Sequence, residues 1–89
     1  MKQIVIESTR LDAWLRTAFI DDDGQVFLPC GAFANESRAV LCAAYDGVSL
    51  VSHGRHAYAP ASWLAKEYPR HATTIDTIAR VIARAECGK

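Results

Sequence analysis

The chain has no long apolar run. No stretch approaches the roughly 18 residues of a membrane-spanning helix, so such a helix is excluded. Glycine and proline are scarce, at 5 and 3 residues, which removes collagen-like and low-complexity classes. An excess of one charge is also missing. Ten Lys and Arg residues balance ten Asp and Glu, which disfavours both a strongly basic nucleic-acid binder and a strongly acidic duplex mimic. The three cysteines, Cys30, Cys42 and Cys87, are odd in number and widely spaced, unlike a secreted disulfide framework. Met1 to Glu7 holds only three consecutive apolar residues. An export signal needs about 7–15 of them, so a cytoplasmic location is expected. There is no Gly-rich phosphate loop, no G-x-S-x-G and no H-E-x-x-H.

What is present suits a globular protein. Of 89 residues, 51% are hydrophobic and 22% charged, which argues against wholesale disorder. That length allows one core, so residues 1–89 are read as one domain.

Lys2 to Glu7 has β-branched residues in alternation and reads as a strand. Thr9 and Asp12 then form a capping-box pattern. Leu11, Trp14, Leu15 and Ala18 follow at helical spacing, which predicts a helix ending near Phe19 or Ile20. Asp21-Asp22-Asp23-Gly24 is an acidic turn. Gln25 to Leu28 reads as a strand that Pro29 ends or confines to an edge. Cys30 to Ser37 reads as a loop, and its Asn35-Glu36-Ser37 as a turn or a chance glycosylation pattern.

Arg38 to Ser52 has two readings. Asp46-Gly47 between apolar residues signals a hairpin joining strands 38–45 and 48–52. Alternatively, a helix starts at Asn35 and ends at Gly47, since Ala39, Leu41, Ala43 and Ala44 favour helix. The hairpin is preferred. Ser52 to His56 turns the chain and Ala57 to Ala59 extends a strand. Pro60 starts a short helix, Ala61–Tyr68, which Pro69 stops. Thr73 to Asp76 is a second capping box, opening a helix to about Glu86 with Ile75, Ile78, Ala79, Ile82 and Ala85 buried. Asp76 and Arg80 are spaced for a helix ion pair, and Gly88 can cap the end. The expected order is β-α-β-β-β-α-α: an α+β fold with a small antiparallel sheet of about four strands and three helices.

Several constellations bear on function. Cys30, Cys42, His53 and His56 are zinc-ligand types, but eleven residues separate the two cysteines where two to four are usual. The acidic turn fails as an EF-hand, because positions 1 and 12 would be Phe19 and Cys30. No metal or cofactor is expected. A Cys30 thiolate with His53, His56 or His71 as base would be a nucleophile pair, yet no local signature orders them. The C-terminal half carries a net excess of cations. Arg55, Lys66, Arg70, Arg80 and Arg84 near Tyr58, Trp63 and Tyr68 are a candidate nucleic-acid face. Against them stands a protein-binding reading, in which Asp21, Asp22 and Asp23, with Glu36 and Arg38, meet a charged partner.

This profile, a compact chain under 100 residues with no enzyme motif and an α+β pattern, resembles small accessory proteins of bacteriophages and mobile elements. Anti-CRISPR proteins are similar in these respects, as are toxin–antitoxin components and small phage regulators. The anti-CRISPR resemblance implies a non-enzymatic inhibitor that binds a protein complex of the bacterial host, such as a Cas protein, stoichiometrically. The balanced charge departs from the acidic members that imitate DNA, so a block of a protein surface is implied. The resemblance is one of whole-chain profile and transfers no functional residue. A small nucleic-acid-binding regulator is the second expectation, and a metal- or cysteine-dependent enzyme the third. An open sheet leaves edges that a second copy can pair, so a homodimer is a candidate assembly.

Overall fold

The computed structural model describes residues 1–7, 10 and 12–87, the last by its backbone alone. Five strands, β1 (Lys2–Val5), β2 (Thr17–Ile20), β3 (Val26–Pro29), β4 (Val51–His53) and β5 (His56–Pro60), form one antiparallel sheet. Their spatial order is β1-β2-β3-β5-β4. Three helices complete the fold: α1 (Glu36–Tyr45), α2 (Ala61–Glu67) and α3 (Ala72–Cys87). The class is α+β, as expected, but the order is β-β-β-α-β-β-α-α and the sheet has five strands.

The expected first helix is replaced by a 3-10 turn, Ala13–Arg16, and by β2. All four residues of β2 are buried. Ala18 and Ile20 face the helices, while Phe19 packs with Phe27 and Tyr58 on the other side of the curled sheet. Burial on both faces rewards a β-branched and aromatic run and overrides a helical spacing that extends over only a few residues. The Thr9 cap and the Leu11 position lie outside the described residues.

The preferred hairpin at Asp46-Gly47 is also corrected. Residues 36–45 are α1, the alternative reading. Ala39 and Ala43, four apart, are fully buried, and their small side chains let the helix sit close on the sheet. Asn35 caps it, its side chain accepting from the Arg38 N–H at 3.2 Å. Gly47, at φ +72°, ends it. The Gly47 N–H donates to the Ala44 carbonyl and the Val48 N–H to the Ala43 carbonyl. That pair of bonds is a Schellman motif. Asp-Gly here supplies positive φ to a helix end rather than to a strand turn.

The hairpin lies eight residues later. His53 pairs with His56 across Gly54-Arg55, and only Gly54 has positive φ, which suits a two-residue turn with glycine first. Pro29 ends β3, which is the central strand. α2 stops before Pro69 as expected, and a 3-10 turn, Pro69–His71, leads straight into α3. Thr73 is therefore inside the helix and not at its cap, and its carbonyl accepts from the Thr77 hydroxyl. On α3, Ile75 and Ile82 are buried and Ile78 and Ala79 half-buried, while Ala85 is exposed. Asp76 and Arg80 do not reach ion-pair distance; Lys2 and Glu86 do, at 2.6 Å, tying β1 to α3. Among the described residues no helix is long and apolar enough to cross a membrane.

Candidate functional site

The most built part of the surface is a groove of about 600 Å³ between α1 and the β4–β5 hairpin. Glu36 stands at its head, in the first turn of α1, where a carboxylate complements the helix dipole. One oxygen, Oε1, accepts from the Ala57 N–H at 2.6 Å, and Oε2 lies 3.3 Å from His56 Nδ1. The carboxylate thus ties α1 to β5. Trp14 stacks on His56 with ring centres 4.3 Å apart. Gly31 leaves room for that indole, since a Cβ there would stand 3.3 Å from Trp14 Cζ3. The Tyr58 hydroxyl donates to the Trp14 carbonyl at 3.2 Å. Burial pushes the Tyr58 hydroxyl pKa up, so it stays a proton donor.

Downstream of Glu36 the groove turns apolar. Val40, Leu41 and Leu50 line it, together with Arg55. Leu41 forms a crest: it borders this groove and also a second hollow shared with Cys42, Tyr45, Asp46 and Glu67. Leu41 is 71% exposed and Tyr45 is 92% exposed. They sit four apart on the helix side opposite Ala39 and Ala43.

The sequence-chosen residues do not all assemble. Asp21 organises its own turn: Oδ1 accepts from the Asp23 N–H at 3.0 Å and the Gln25 N–H at 2.8 Å. Asp22 and Asp23 are exposed. The acidic turn precedes β3, whereas Glu36 and Arg38 follow its far end. These five residues are therefore not one patch. Nor are the five cations. Arg55 shares the groove with Glu36, while Arg80 lines a hollow with Gly24 and Gln25 at the other end of the sheet. Lys66 lies in the last turn of α2 and Arg70 in the following 3-10 turn. Arg84 is on α3. Tyr58 and Trp63, the proposed stacking platforms, are buried, and Tyr68 is half-buried.

The cysteine chemistry is displaced too. Cys30 is fully buried, and desolvation, with the negative charge of Glu36 second, pushes its thiol up to about 11. It is a packing residue in protonated form rather than a thiolate. His71 packs near Phe33, His53 near Phe19, and His56 faces Glu36. Among the described residues no three His, Cys, Asp or Glu side chains gather as a metal site.

Sequence reasoning named Glu36, Arg38 and Arg55 but missed Leu41, Tyr45, Trp14 and Gly31. The signal for the first two was the spacing Ala39–Ala43 against Leu41–Tyr45, which is visible only once the helix reading of this stretch is taken. No protein-family model, curated protein or solved structure matches the chain.

Proposed function

We propose that the chain is a non-enzymatic protein-binding domain that docks through the outer face of α1 and the groove beside it. The observation that carries this is the exposure of Tyr45 and Leu41 on a helix whose inner face is locked by Ala39 and Ala43. A tyrosine can bury roughly 150–250 Å², and aromatic anchors with apolar neighbours concentrate binding energy at interfaces. Arg38 and Arg55 form no ion pair among the described residues. They favour a partner that offers an apolar side chain flanked by a carboxylate. The partner class is the one the whole-chain profile suggests, a protein complex of a bacterial host's defence such as a Cas assembly, with the chain acting as a stoichiometric, phage-type inhibitor.

Capture of partners on the tagged chain from a bacterial host, with and without nuclease, tests this. A protein complex should survive nuclease. Tyr45→Ala should weaken it by a hot-spot loss of about 2 kcal/mol, roughly 30-fold, with the melting temperature unchanged. Leu41→Ala should weaken it less, and Asp22→Ala with Asp23→Ala should leave it intact. Full affinity in a folded Leu41→Ala/Tyr45→Ala chain overturns the proposal. Recovery of nucleic acid alone would move the function to the arginines.

A further inference from the structure

We propose that two copies of this chain pair edge to edge through β1, with the molecular two-fold axis at Gln3. β1 is an outer strand of the sheet. The Ile6 N–H donates to the Arg16 carbonyl at 2.8 Å. The β1–β2 register places Ile4 opposite Ala18 and Lys2 opposite Ile20. In an antiparallel ladder, hydrogen-bonded and non-bonded pairs alternate. Lys2, Ile4 and Ile6 therefore turn their backbone groups toward β2. Gln3 and Val5 turn theirs outward, to the open edge.

An isologous antiparallel contact must match those outward groups to themselves. Centring it on Gln3 pairs Gln3 with its own copy and Met1 with Val5 of the second chain. Met1 and Val5 are 62% and 57% exposed. They share one side of the strand with Gln3, so the same register that satisfies the backbone also covers these two apolar side chains. On the other side of the strand a groove of about 410 Å³, lined by Ile4, Ile6, Ile78, Val81, Ile82 and Ala85, runs along the edge. Pairing brings the two grooves together, covering Val81, which is 62% exposed.

Outer strands are normally guarded by proline, a bulge or a projecting lysine. β1 has no proline and pairs in unbroken register, and Lys2 is held by Glu86 at 2.6 Å. The zero formal charge of the chain removes net repulsion between copies.

Light scattering across a concentration series should show the mass rising from 9.8 kDa toward twice that value. Hydrogen exchange should show the Gln3 and Val5 amides gaining protection with concentration, while Lys2 and Ile4 stay protected throughout. Val5→Lys should keep the chain folded and hold it at the monomer mass. Gln3→Pro removes an outward N–H that β2 does not use and should do the same. If Gln3→Pro fails to fold, Val5→Lys and the exchange pattern of the parent chain decide. A mass that stays monomeric at every concentration overturns the proposal. So does a dimer that persists in folded Val5→Lys, or one whose Gln3 and Val5 amides exchange freely.

Discussion

Replacing Glu36 with alanine tests the link between α1 and β5 on which the groove depends. The carboxylate accepts from the Ala57 N–H at 2.6 Å, and a hydrogen bond to a charged group is worth about 1.5–3 kcal/mol. Its negative charge in the first turn of α1 adds about 0.3–1 kcal/mol. The partly exposed contact with His56, at 3.3 Å, adds about 0–1 kcal/mol. Glu36→Ala should therefore cost about 2–5 kcal/mol. An 89-residue domain has about 4–13 kcal/mol in all, so the loss is a large fraction of the total and is read directly in an unfolding titration. At about 4–8 °C per kcal/mol, its melting temperature falls by about 8–40 °C. Glu36→Gln keeps an acceptor for Ala57 and should lose only about 1 kcal/mol. Urea unfolding followed by tryptophan fluorescence measures both, and an unchanged m-value would show that the same surface is exposed. A Glu36→Ala chain within about 0.5 kcal/mol of the parent would refute the tether. Equal losses for alanine and glutamine would show that the acceptor geometry is not what matters.

Cys30 makes stability depend on alkaline pH. Its thiol is raised from 9.0 to about 11 in the folded chain, so between those values the folded state holds a proton that the unfolded state has released. The stability is fully present below 9.0 and is lost as pH rises to about 11, by up to about 3 kcal/mol. Denaturation of the parent and of Cys30→Ala across that range should show the steeper decline in the parent, and equal slopes would refute the assignment. In the acidic turn, Asp21→Ala removes the acceptor of two backbone N–H groups and should cost about 1 kcal/mol. Asp22→Ala and Asp23→Ala should stay within about 0.5 kcal/mol of the parent in the same urea titration. Equal effects at all three positions would show that the turn is held by something other than Asp21.

Elements bounded by strong local chemistry were legible in the chain. The acidic turn closed by Gly24, the short helix opened by Pro60 and stopped before Pro69, and the apolar stripe of α3 each follow from a few adjacent residues. The misreadings share one cause. Residues 12–20 carry apolar side chains that suit a short helix or a doubly buried strand, and only the burial of Thr17 and Phe19, the latter packed on Phe27 and Tyr58, selects the strand. Gly47 can provide positive φ to a hairpin or to a Schellman cap, and the choice depends on whether Ala39 and Ala43 find a sheet to pack against. At the site, Glu36, Arg38 and Arg55 were legible as charges. Their separation from Asp21–Asp23 was not, because distance along the chain does not reveal which end of a strand a turn occupies.

The sequence by itself determined the α+β class, the absence of a long apolar helix, the balance of charge, and the local starts and stops that depend on proline, glycine and aspartate. These are properties of composition and of neighbours a few residues apart. Only the tertiary structure decided which residues share a surface. It drew Lys2 to Glu86 across 84 positions and Glu36 to Ala57 across 21, and it stacked Trp14 on His56. It sealed Cys30 away from solvent and left Leu41, Tyr45 and the β1 edge exposed. Those outcomes depend on strand order and on which faces find partners, and both emerge only when the whole chain competes for one core.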